Sequence, residues 1–132
     1  MRKFYIFLFF SLVSFGIFAQ SKHDPRLLQT HDKDYLDRLE LKSPAMYQKL
    51  NFYLDNTFHI VQYNRAKFKK NIQTIKVKDL SNINIFEVQR ENNIKPDLNK
   101  KLSFRIEGTD KVLILESMNQ FAKAFNEARQ SN

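Results

Sequence analysis

The stretch Leu102-Ser103-Phe104-Arg105-Ile106-Glu107-Gly108-Thr109-Asp110-Lys111-Val112-Leu113-Ile114-Leu115 decides the fold. Leu102, Phe104 and Ile106 alternate with Ser103, Arg105 and Glu107, the period of a strand with one wet face. Gly108-Thr109-Asp110 supplies a hairpin loop. Val112 to Leu115 is continuously apolar, as in a strand covered on both faces. Two antiparallel strands therefore stand near the end of the chain.

Upstream the same period recurs. Ile75 and Val77 alternate with Lys76 and Lys78, and Phe86 and Val88 alternate with Glu87 and Gln89. These read as two more strands, giving four. Downstream, Ser117 opens a helix. Gln120 follows three residues later in a capping box, and Met118, Phe121, Ala122 and Phe125 recur at helical spacing.

The first part of the domain reads as helical. Asp24-Pro25 and Ser43-Pro44 are helix starts, because a polar side chain caps free N–H groups and proline is tolerated in the first turn. Tyr35, Leu36 and Leu39 mark one interrupted helix or two short ones, ending near Lys42. Met46, Leu50, Tyr53, Leu54, Thr57, Phe58 and Val61 form a stripe predicting a helix from Pro44 to about Gln62. The expected architecture is α+β: an N-terminal αα-hairpin, a four-stranded antiparallel meander and a C-terminal helix packed on one face.

Residues 1–19 stand apart. Met1-Arg2-Lys3 is followed by an apolar run from Phe4 to Ala19, and a small residue closes it. That order is a cleavable secretory signal, with the cut between Ala19 and Gln20. As a helix the run spans about 24 Å, short of the roughly 30 Å hydrocarbon core, which favours cleavage over retention as an anchor. Residues 20–132 then form a single small domain, periplasmic or secreted, with transient membrane contact through the signal. The chain has no cysteine, so neither a disulfide nor a lipidated cysteine is available. Only Gly108 lies outside the predicted signal, which argues against glycine-rich phosphate loops and their cofactors.

The chain carries +8, and without Arg2 and Lys3 it carries +6. The excess lies downstream of Tyr63. Arg65, Lys67, Lys69, Lys70, Lys76 and Lys78 occur together with no acid among them, and Phe68 is interleaved. Such a run attracts polyanions by its summed potential and by counterion release. It is the candidate anion-binding surface, for a membrane, a glycan or nucleic acid. The competing reading is a solvated loop and an edge strand guarded by lysines.

No catalytic set is expected, and no metal or cofactor. His23-Asp24 and His31-Asp32, with Asp34, offer nitrogen and oxygen ligands, but they read as exposed polar residues and helix caps. His59 falls on the long predicted helix, without a serine or cysteine signature beside it. Glu87, Glu107 and Glu116 are placed on strands. Tyr47, Phe52, Tyr53, Phe58 and Tyr63 read chiefly as core. The sequence thus points to an exported, non-enzymatic binding or accessory domain that contacts a protein or an anionic surface. Two alternatives remain at this stage. One is a small hydrolase or enzyme inhibitor with a site on the sheet face, pairing His59 with a strand glutamate. The other is a membrane-tethered subunit that retains Phe4 to Ala19.

Overall fold

The computed structural model of the protein describes residues 22–68 and 71–131. The predicted signal and its cut at Ala19 and Gln20 lie outside them, as do Lys69 and Lys70. The described residues form α1 (Pro25–Thr30), α2 (Lys33–Lys42), α3 (Pro44–Asn56), β1 (Phe58–Gln62), β2 (Thr74–Ile75), α4 (Ile85–Glu91), β3 (Leu102–Ile106), β4 (Lys111–Leu115) and α5 (Met118–Gln130). The fold is α+β, with helices at both ends and a four-stranded sheet. None of these helices is long and apolar enough to cross a membrane.

The helix starts follow the local chemistry. Asp24 accepts a hydrogen bond from the Arg26 N–H, and Pro25 opens α1. Asp32 caps α2 through the Asp34 N–H, and Ser117 caps α5 through the Gln120 N–H. α2 and α3 pack as the expected helical hairpin.

Three expectations change. The helix from Pro44 ends at Asn56, and Phe58-His59-Ile60-Val61-Gln62 is strand β1. Conversely, Ile85 to Gln89 is not a strand but lies in helix α4, which puts Ile85 and Val88 on one buried face. The sheet is also not a meander. Its order is β1-β4-β3-β2, and β2 runs parallel to β3, so it is mixed. β1–β4 and β4–β3 are antiparallel.

Alternation sorts the sheet's side chains between two faces. Phe58, Ile60, Leu113, Leu115, Leu102, Phe104, Ile106 and Ile75 face the helices. They form the main core with Tyr53, Ile85, Val88, Ile94 and Phe121. A second cluster, Leu27, Leu36 and Leu54, sits within the helical part, and Phe86 touches both. Burying each such leucine contributes about 1.5–3 kcal/mol.

Because β1 and β2 occupy opposite edges, the segment that joins them must cross from one to the other. Its Tyr63 and Phe68 lie on the face away from the helices. Arg105, which points opposite to Phe104 and Ile106, has its guanidinium 4.6 Å from the centroid of the Tyr63 ring. Val112, flanked on that face by Val61 and Arg105, is fully buried.

Candidate functional site

The crossing segment begins by extending β1: the Tyr63 N–H donates to the Asp110 carbonyl. Asn64 then makes a tight turn. Its side-chain oxygen accepts from the Ala66 N–H at 2.9 Å, and its carbonyl accepts from Lys67 and Phe68. That turn folds Phe68 back over Tyr63, with ring centroids 6.1 Å apart and planes 18° from parallel. Arg105, Tyr63 and Phe68 thus form a stack on the helix-free face. A guanidinium over a ring face can still offer N–H donors to an anion.

Arg65 and Lys67 are exposed in the turn, and Lys76 is exposed just after β2. The Lys76 backbone is fixed by Asn92, whose side chain accepts from its N–H and donates to its carbonyl. Among the described residues, Arg65, Lys67, Lys76 and Arg105 form no ion pair. Lys78 differs. Its ammonium lies 3.0 Å from Glu87 and 2.6 Å from Glu91, and those carboxylates raise its pKa. The patch is bounded by Glu107 and Asp110, which with Thr74, Arg105, Gly108 and Thr109 line a shallow concavity at the β3–β4 turn.

The histidines separate. His23, read from sequence as exposed, is buried at 2%. One ring nitrogen lies 2.7 Å from the Tyr47 hydroxyl and the other 2.7 Å from Asp37 Oδ1. Asp37 accepts only, so Nε2 carries a proton towards it. Ligand atoms of His23, Asp37 and Glu40 all lie within 4.8 Å of one another, a group with the composition of a metal site. Its carboxylates are nonetheless engaged by ammonium groups: Lys33 at 2.7 Å from Asp37 and Lys22 at 2.7 Å from Glu40. Lys33 first, then His23, lower the Asp37 pKa to about 2. The cluster ties the chain's Lys22–His23 segment to α2 and α3. Beside it, Arg26 bridges Asp24 and Asp55 at 2.9 and 2.7 Å. His31 takes no part, packing edge-on to Phe86 and parallel to Tyr35.

His59 lies on β1, not on a helix, and its Nδ1 is 3.5 Å from Glu116, whose other oxygen is 3.2 Å from Lys101. The sheet therefore brings together His59 and one of the three strand carboxylates named from sequence. Glu87 is on α4 and Glu107 at the β3–β4 turn. Of the aromatics, Phe52 and Tyr53 pack on Phe121. Phe52 also meets Phe125, and with Arg129 and Gln48 these line a groove between α3 and α5.

Sequence reasoning missed Arg105 as a site residue. Its signal was its place on the wet side of an alternating strand, but its neighbour Tyr63 is 42 positions away and only topology joins them. Compared with known protein families, curated proteins and solved structures, the chain matches none.

Proposed function

We propose that this chain is an exported, non-enzymatic binding domain that contacts polyanions through the helix-free face of its sheet. The observation that carries this reading is the Arg105–Tyr63–Phe68 stack beside Arg65, Lys67 and Lys76, cations without carboxylate partners among the described residues. The export signal in residues 1–19 supports a periplasmic or secreted setting. The anions met there include membrane head groups, acidic glycans and extracellular DNA.

The test is retention of residues 20–132 on anionic liposomes, heparin-like glycan and DNA as salt is raised. Counterion release predicts binding that falls linearly on a log–log plot. Arg105→Ala should lower that slope by about 1, as removal of one anion contact does. Lys78→Ala should leave it unchanged, since Lys78 is committed to Glu87 and Glu91. Absence of salt-sensitive retention on all three supports would refute the proposal.

One observation favours the hydrolytic alternative: His59 and Glu116 converge at 3.5 Å. Glu116 is shared with Lys101, however, and neither His59 nor Glu116 lines the concavities at the β3–β4 turn or between α3 and α5. Intact-mass measurement of the native protein distinguishes cleavage after Ala19 from a retained anchor.

A further inference from the structure

β1 is an edge strand, and its backbone polarity can be read residue by residue. In an antiparallel pair, residues alternate between those bonded to the partner and those whose N–H and C=O point away. The Tyr63 N–H donates to Asp110, and the Glu116 N–H donates to Thr57. Thr57 and Tyr63 are therefore bonded positions, and by alternation so are His59 and Val61. Phe58, Ile60 and Gln62 then direct their N–H and C=O groups away from β4. None of those outward groups has a hydrogen-bond partner among the described residues.

The side chains agree. Phe58 and Ile60 face the core beside Leu115 and Leu113, which are 1% exposed, yet they are themselves only half-buried. β1 contains no Lys, Arg, Asp, Glu, Pro or Gly. It lacks the devices by which exposed edges resist pairing. The opposite edge, β2, has only two residues and is followed by Lys76 and Lys78.

We infer that this edge is a homodimer interface, in which β1 pairs antiparallel with β1 of a second copy about a two-fold axis at Ile60. The outward residues are symmetric about that axis. Phe58 meets the second copy's Gln62, Ile60 meets Ile60, and every outward N–H faces an outward C=O. No like charges are brought together along the strand, in a chain that is 27% charged. The inference stands apart from the polyanion proposal.

The experiment is sedimentation of the chain as the cell produces it, up to about 0.5 mM, with amide hydrogen exchange read at β1. The expected result is a monomer–dimer equilibrium. The Phe58, Ile60 and Gln62 amides become protected as the dimer fills, while those of His59 and Val61 are protected at every concentration. Gln62→Pro removes an outward N–H at an exposed position without touching the β4 ladder. It should weaken association at least about tenfold and leave the His59 and Val61 protection intact. A monomer at every concentration overturns the inference. So does a dimer whose Phe58, Ile60 and Gln62 amides stay unprotected, or a folded Gln62→Pro protein that associates as the parent does.

Discussion

Replacing Asn84 tests how the helical part is fastened to the sheet-bearing part. Asn84 is buried at 4% and precedes α4. Its amide donates to the Arg26 carbonyl at 2.7 Å and to the Gln29 side-chain oxygen at 3.1 Å. Its own oxygen accepts from the Glu87 N–H at 3.5 Å, a long cap. In Asn84→Ala the bond to Arg26 should cost about 1 kcal/mol. That carbonyl is not orphaned, because the Thr30 hydroxyl donates to it at 3.3 Å. The Gln29 bond adds about 0.5–1 kcal/mol and the long cap about 0.5 kcal/mol. The sum is about 2 kcal/mol, or a fall of about 8 °C in Tm for a domain of this size. Asn84→Ser keeps a capping oxygen but loses the bridge, so it should cost about 1.5 kcal/mol. Urea unfolding of the two variants measures both, with an unchanged m-value marking a true stability effect. If the serine variant matched the parent, the bridge to α1 would contribute nothing and the reasoning would fail. The same holds if the alanine variant lost less than about 0.5 kcal/mol.

Three further outcomes are expected. Thr57 is 0% exposed and its hydroxyl has no hydrogen-bond partner among the described residues, so Thr57→Val should be neutral or stabilising by up to about 1 kcal/mol; a clear loss in thermal unfolding would mean the hydroxyl is bonded. Gly108 sits at φ +72 with open space where a Cβ would go, so Gly108→Ala should cost about 1 kcal/mol through backbone conformation alone. The Asp37 pKa falls from 3.8 to about 2 in the folded chain, so its contribution is complete above 3.8 and disappears as pH drops through about 2. Acid titration of stability should therefore flatten over that window in Asp37→Asn, and an unchanged acid limb would count against the His23–Asp37–Lys33 network.

Much of this architecture was legible because long-period patterns survive tertiary packing. The β3–β4 hairpin and the capped helix α5 stand where alternation and the Ser117–Gln120 box put them. The two misread segments share a cause. Over five residues, an alternating apolar pattern fits either period. Thr57, Phe58 and Val61 happened to extend the α3 stripe, although Phe-His-Ile-Val is rich in β-formers and finds a partner in β4. Ile85-Phe86-Glu87-Val88-Gln89 alternates, yet Asn84 and Glu87 stand in N-cap and N3 spacing, a helix signal that outweighed the alternation. The two errors offset one another in number, so the strand count held while the membership changed. The basic run was visible, but its division was not. Lys78 is claimed by carboxylates 9 and 13 residues away, and Arg105 joins Tyr63 through the crossing. His23 was hidden for a similar reason, since Tyr47 and Asp37 come from two helices.

The strand order also governs when the sheet can exist. β1 and β2 come first along the chain but hold the edges, and each has a single partner, β4 and β3 respectively. β2 can pair once β3 has left the ribosome, but β1 must wait for β4, the last strand of the sheet. Until then both edges of β1 are open. Loop closure across the sheet is thus the late, slow event, as for any fold dominated by distant strand pairs. Until β4 emerges, the main core lacks Leu113 and Leu115 and cannot close.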